Sequence, residues 1–349
     1  MKILALDLGK YKTVACDYEA ESGRHRFHTT LTTPAALAQL VKQLQPGRVV
    51  IEICNIAGWV CDLLRRMGVA VQVANTSDDA WRWRKVKKKN DRCDALKVAQ
   101  LSAVHQLREV HIPIMEVRQW RALIAFRQQL VQRRGKIKNH IRDLLLSEGQ
   151  MLPRGAKCWT LLGRAHLEAL ARPLEEVGMN ELWRGQLAIE LRQLQAIQQE
   201  IEAAEEKLDA LARTDPRLSL LRTIPGVGPR LSEAIVALLD RPQRFRKASE
   251  VSAYIGMVPK ELDSGETVRR GRITKQGSRL VRSLLVEVAW AGLRYNPWVR
   301  QTYQRISGGK KSRKKIAIVA VGRRLLVRCW AMLRDGTRWR PPAIQAAGP

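Results

Sequence analysis

The first hundred or so residues alternate short apolar runs with helix-spaced segments. Lys2 to Leu8 is a β-rich run, Gly9-Lys10 supplies a turn, and Thr13 to Tyr18 reads as the returning strand of a hairpin. Ala35 to Leu44 has helical spacing at Leu37, Leu40, Val41 and Leu44, and Pro46-Gly47 stops it. Val49 to Ile53 is a continuous β-branched run of the kind buried on both faces, and Val69 to Val73 is a second buried strand. Between them Val60 to Met67 reads as a helix ended by Gly68. Strands and helices alternating on this scale predict an α/β unit over residues 1–110, a sheet with helices packed over it.

The pattern then changes period. Residues 111–216 are helical almost throughout, with Val117, Trp120, Ile124, Val131, Ile141 and Leu144 on one apolar stripe. From Gln186 to Leu211 a heptad-like seam appears: Leu187, Leu194, Ile201 and Leu208, with Ile197, Ala204 and Leu211 three residues after the last three. The seam fits an antiparallel helical hairpin within one protomer and an intermolecular coiled coil equally well. Asp215-Pro216 breaks the pattern. Residues 217–340 read as a mostly helical third region with one polar, glycine-bearing loop from Lys260 to Gly277, and residues 341–349 as a disordered tail.

Charge decides what such a chain binds. Of 349 residues, 62 are Lys or Arg and 33 Asp or Glu, a formal net charge of +29, which marks a polyanion binder and most simply a nucleic-acid binder. Residues 261–349 hold 20 Lys or Arg against 5 Asp or Glu, including the run Lys310, Lys311, Arg313, Lys314 and Lys315. A second basic stretch, Trp81 to Arg92, carries Arg82, Arg84, Lys87, Lys88 and Lys89. The apolar run Ile316 to Gly322 is too short to span a bilayer. The N-terminal apolar stretch contains Asp7 and no cleavage site follows, so it is not a signal peptide. The six cysteines include no C-x-x-C pair, against a zinc module or a disulfide framework. Together these features predict a reduced, cytoplasmic, nucleoid-associated protein.

Four carboxylates stand out. Asp7 is the one charge in the first apolar strand, and Glu52 interrupts a later one; burying a lone carboxylate is costly unless it is paired or binds a metal. Asp91 and Asp94 sit at i and i+3 of a predicted helix, on one face, where like charges repel unless a cation lies between them. Hard oxygen donors of this kind suit Mg²⁺ or Mn²⁺. Singly, Asp7 also reads as a turn residue and Asp91 as a helix-start charge. As a set, the four resemble the Holliday-junction resolvases of the ribonuclease H-like fold.

Two further motifs lie in the last region. Ile224-Pro225-Gly226-Val227-Gly228-Pro229 between apolar helices resembles a helix-hairpin-helix element, whose glycines (Gly226, Gly228) let backbone N–H groups approach a phosphate. Asp263-Ser264-Gly265-Glu266-Thr267 is followed by Arg269, Arg270, Arg272 and Lys275. A serine beside several cations is what a phosphoryl-transfer nucleophile needs, although Ser-Gly is also common in ordinary turns.

In order along residues 1 to about 335, Asp7, Glu52, Asp91-x-x-Asp94, the heptad-like helix, I-P-G-V-G-P, Y-I-G-M-V-P, D-S-G-E-T and R-I-T-K-Q-G resemble the DEDD transposases of the IS-one-ten insertion-sequence family, relatives of the pilin-gene invertase. The resemblance implies a RuvC-type ribonuclease H-like domain, a coiled-coil segment and an α-helical transposase domain. It implies that Asp7, Glu52, Asp91 and Asp94 hold Mg²⁺ and that Ser264 is the nucleophile of a phosphoserine–DNA intermediate. Double-stranded donor and target DNA, a structured bridge RNA and a homo-oligomer, a dimer of dimers, are the implied partners. Two departures stand: Glu52 is followed by Ile53-Cys54-Asn55 where the family often has Thr or Ser and then Gly, and Asp263 precedes Ser264 where many relatives have a second serine. Thr267 and Thr274 are the alternative nucleophiles. A junction nuclease using water is the rival enzymatic reading. A non-catalytic nucleic-acid binder is the third, and it leaves the acids in the buried strands unexplained.

Overall fold

The computed structural model describes residues 1–75, 90–264 and 267–341, with backbone alone for 261–264 and 267–270. The chain forms two compact units, Met1–Arg118 and Gln119–Pro349.

The first unit is built on a five-stranded sheet. Its strands are β1 (Lys2–Leu8), β2 (Lys12–Glu19), β3 (His25–Leu31), β4 (Arg48–Glu52) and β5 (Ala70–Ala74), in the order β3-β2-β1-β4-β5. β1, β2 and β3 pair antiparallel, whereas β4 runs parallel to β1 and β5 parallel to β4. Two helices, α1 (Pro34–Leu44) and α2 (Ala57–Arg66), supply Leu37, Leu40, Val60 and Leu64 to a core with Leu4, Leu6, Val49 and Ile51. On the opposite face α3 (Asp91–Ala103) packs Ala95, Val98 and Ala99 on Ile3, Ala5, Cys16 and Val50. Both faces being covered is why β1 and β4 read as unbroken apolar runs rather than alternating ones.

The second unit opens with a long helical hairpin. The helices α4 (Met115–Ser147) and α6 (Leu182–Arg213) run antiparallel, as three cross-links show: Arg127 Nε donates to Glu205 at 2.8 Å, Arg134 to Gln198 at 2.7 Å, and His140 meets Glu190 at 2.7 Å. The heptad-like residues Leu187, Leu194, Ile201 and Leu208 are all buried, with Ile141 and Leu145 of α4 beside the first two and Leu130 beside Ile201. The main row of the seam therefore packs inside one protomer, while Leu211 stays exposed. Between the two long helices lie a 3-10 turn at Gly155–Trp159 and α5 (Leu161–Leu170).

The remaining helices are α7 (Pro216–Leu221), α8 (Pro229–Leu239), α9 (Ala248–Tyr254), α10 (Arg279–Tyr295), α11 (Pro297–Ser307) and α12 (Lys314–Asp335). Their core brings together Leu221, Ile235, Val251, Leu285, Leu326 and Trp330. The segment expected to be a loop from Lys260 to Gly277 instead holds a hairpin of β6 (Pro259–Ser264) and β7 (Thr267–Ile273). Its polar and basic residues hide the strands, because a two-stranded ribbon needs no continuous apolar face. Among the described residues no helix is long and apolar enough to cross a membrane, and all six cysteines are free thiols.

Candidate active site

Local sequence places the first two carboxylates at strand ends. β1 and β4 pair parallel with Leu6 opposite Ile51, and Asp7 and Glu52 are the next residue of each. Side chains alternate between faces. Asp7 therefore shares a face with Ile3 and Ala5, and Glu52 with Val50, which is the face that α3 covers. Both acids are half-buried at the C-terminal edge of the sheet.

The direction of α3 brings the other two acids to the same edge. Ser102, in its last turn, accepts a 3.4 Å hydrogen bond from Arg48 at the start of β4 and donates at 2.6 Å to Gln72 of β5. α3 thus runs antiparallel to β4. From Ser102 back to Asp94 the helix rises about 12 Å at ~1.5 Å per residue. From Arg48 to Glu52 the strand advances about 13 Å at ~3.3 Å per residue. Asp94 comes level with Glu52. The helix starts there because Asn90 caps it, its side chain accepting from the Cys93 amide at 2.8 Å, and both acids lie in the first turn, where the helix dipole favours negative charge. Asp94 is buried against the sheet at 8% exposure, and Asp91 is exposed at the helix start.

Hard carboxylate oxygens gathered at one edge of one face fit a divalent cation by donor chemistry. Among the described residues, no three His, Cys, Asp or Glu side chains stand close enough together to form a ready-made cage. The basic residues Arg82, Arg84, Lys87, Lys88 and Lys89 lie outside the described residues.

Ser264 ends β6, paired with Thr267 across the two-residue link of the hairpin. Arg269 and Arg270 lie on β7 opposite Leu262 and Glu261, and Arg272 and Lys275 are exposed. The base of the hairpin is clasped tightly. Thr274 donates to the Val258 carbonyl at 2.9 Å and Lys275 to that of Gly256 at 3.0 Å. Gly256 and Gly277 adopt φ of 70° and 75° where the segments cross, and a Cβ on either would collide with backbone of the other segment, at Gln276 or Tyr254 respectively. Arg282 of α10 locks the crossing by donating to the carbonyls of Ile255, Gln276 and Gly277 at 2.8, 2.7 and 3.1 Å. Burial and the neighbouring Arg279 hold this guanidinium below its ordinary pKa. A cleft of about 590 Å³ beside the end of β7 is lined by Ile273, Lys275, Arg279, Arg282 and Glu287. Nothing in the sequence pattern of α10 marks Arg282.

The Pro225–Pro229 turn has a structural use. Asn296, itself buried, donates to the Pro225 carbonyl at 3.1 Å, and Gly226 lies against Gly292. Gly226 is exposed, and Gly228 precedes the first turn of α8. The cluster Lys310, Lys311, Arg313, Lys314 and Lys315 is wholly exposed at the start of α12, which has no acid in its first turn. Cations there oppose the helix dipole, an arrangement that favours an anionic partner.

The sheet order and the carboxylates at one edge are consistent with a ribonuclease H-like fold. Comparison with known proteins gives the family. Residues 4–148 match the model for the DEDD transposase of IS110, described as "Transposase", and residues 218–304 match "Transposase IS116/IS110/IS902 family". The chain is 29% identical to the transposase for insertion sequence element IS1111A of Coxiella burnetii, across 84% of this chain and 79% of that protein. It is 28% identical to a "Probable family 20 transposase" of Pseudomonas aeruginosa, across 88% and 90%. The transposase for insertion sequence element IS1328 of Yersinia enterocolitica is 26% identical across 72% and 73%. The chain belongs to the IS116/IS110/IS902 family of insertion-sequence transposases, enzymes that cleave and rejoin DNA.

Proposed function

We propose that this transposase is a guide-RNA-directed recombinase that exchanges DNA strands through a phosphoserine–DNA intermediate, with a divalent ion at the acid cluster. The observation that carries the reading is the gathering of the acids at one edge of one sheet face: Asp7 and Glu52 at adjacent strand ends, under the helix start that bears Asp91 and Asp94. The four would hold Mg²⁺ or Mn²⁺. When bound, the ion supplies Lewis acidity toward the scissile phosphate and charge neutralisation in the transition state.

Ser264 Oγ attacks phosphorus and gives up its proton. The bond from phosphorus to the leaving 3′ oxygen breaks, and the DNA stays linked to the serine. The 3′-hydroxyl of another strand then attacks the same phosphorus, the bond to Ser264 Oγ breaks, and the serine regains a proton. One P–O bond replaces another at each step, so no water is consumed. The clasp at Gly256 and Gly277 supports this role by fixing the base of the hairpin that carries the serine, and Lys275 and Arg279 offer positive charge in the adjoining cleft. RNA guidance and a homo-oligomeric enzyme rest on the family resemblance.

The test is a denaturing gel of wild type and Ser264→Ala on labelled DNA, with peptide mapping of any adduct. The wild type should form a covalent adduct and recombine, and Ser264→Ala should do neither while still binding DNA. An adduct that persists in the alanine variant, or that maps to Thr267 or Thr274, overturns the serine assignment. Cleavage by wild type without an adduct hands the reaction to a water-using nuclease. Asp7→Asn should abolish strand exchange and leave DNA affinity unchanged or stronger. Sequencing RNA that co-purifies with the protein tests the guide.

A further inference from the structure

The end of the helical hairpin away from α7 carries a cluster of cations outside the two basic regions already described. Trp159 is flanked by Lys138 and Arg142, with the ammonium 4.7 Å and the guanidinium 5.2 Å from its ring. Arg134 stands one turn before Lys138 on α4, and Arg164 approaches from α5. Burial above all, then Arg134, Arg164 and Arg142, holds the Lys138 ammonium below its ordinary pKa. Arg164 also lines a groove of about 490 Å³ between α5 and α6, together with Arg172, Arg192, Gln195 and a single acid, Glu168. Among the described residues none of these six cations forms an ion pair; Arg134 is bound to the neutral Gln198, and Arg142 and Arg172 donate to backbone carbonyls.

Like charges held this close cost stability, and against them the groove lining sets the single acid Glu168. They span three helices, too widely for one small anion. The groove is open and lined by guanidinium groups, which suit repeated phosphate oxygens. The enzyme's established substrate is DNA.

We infer that the α5–α6 groove, with Arg164, Arg172 and Arg192, and the adjoining Arg134, Lys138 and Arg142 around Trp159, form a binding site for the phosphate backbone of duplex DNA. The site touches no reacting atoms and reads no bases. It holds the duplex by charge, and in the absence of DNA its cations repel one another.

The experiment uses the full chain with Arg164→Gln, Arg172→Gln and Arg192→Gln combined. Duplex DNA affinity is measured against salt concentration, and binding of a structured RNA is measured in parallel. The slope of log K against log salt on duplex DNA should flatten by up to about 2.7, at ~0.9 for each phosphate that is no longer neutralised. RNA binding should change little. In the absence of nucleic acid, Arg164→Gln alone should raise the melting temperature, because a repelling neighbour of Lys138 is gone; a merely structural arginine would lower it. Arg192→Glu, at an exposed position, guards against a misfolded triple variant: it should weaken duplex binding without lowering the melting temperature. An unchanged salt slope in the triple variant, or unchanged duplex affinity in Arg192→Glu, overturns the proposal. Loss confined to RNA also overturns it and makes the groove an RNA site.

Discussion

Glu233 is fully buried in the apolar run Leu231 to Leu239 of α8. Its Oε2 accepts from Arg230 at 3.0 Å, while Oε1 accepts no hydrogen bond and has Arg222 Nη2 3.9 Å away. Burial pushes this carboxyl up to about 7 from an ordinary 4.5, against the pull of Arg230 and Arg222 and with Asp209 adding to the rise. The unfolded chain therefore releases this proton at lower pH than the folded one. Between about 4.5 and about 7 the folded state holds more protons, so stability falls as pH rises through that window and levels off above it. Glu233→Gln should remove this fall, and thermal melts of both proteins across the window would show it. Equal slopes would mean that Glu233 keeps its charge when folded. The residue is legible in the sequence as an oddity, one acid inside LSEAIVALL with Arg230 one helical turn before it, yet only folding brings Arg222 within reach.

At the scale of elements, two hairpins carry different duties. The α4–α6 hairpin is held by apolar packing, so Leu194→Ala should cost about 2–5 kcal/mol of stability by leaving a cavity. Unfolding in denaturant would measure this, with strand cleavage at low temperature retained. The β6–β7 hairpin has no core of its own and depends on the crossing of Gly256 and Gly277 beneath Arg282. Gly277→Ala should abolish strand exchange even where the rest of the chain stays folded, because the new methyl meets the Tyr254 carbonyl and the φ of 75° disfavours any side chain. Full recombination by that variant would show that the clasp is dispensable. The sequence presents both segments, Y-I-G-M-V-P and K-Q-G, as motifs without revealing that they cross. The heptad seam likewise specifies an apolar partner and leaves open which one. The pairs Arg127–Glu205, Arg134–Gln198 and His140–Glu190 identify it as α4 of the same chain.

For the whole molecule, a net charge of +29 is a statement about partners. The exposed cluster at the start of α12 should bind nucleic acid mainly through phosphates. Replacing Lys310, Lys311, Arg313, Lys314 and Lys315 with Gln should flatten the salt dependence of DNA binding, by ~0.9 for each phosphate that the cluster neutralises. An unchanged dependence would mark the cluster as a solvated face. Because α12 sits at the centre of the last core, with Leu325, Leu326, Cys329 and Trp330 buried, the variant should keep its fold.

Period and charge along the chain determined the α/β unit, the long helices, the polyanion partner and the four acids, because burial on both faces of a sheet or along one helical stripe writes a direct pattern into neighbouring residues. β3 is not legible in that way, since an edge strand with exposed residues carries little of the pattern. What tertiary structure alone decided is direction and register. The parallel pairing of β1 with β4 sets Asp7 level with Glu52, and the antiparallel run of α3 returns Asp94 to the same edge rather than the opposite one. These relations join residues tens of positions apart. They follow from packing and loop closure, which no local periodicity encodes.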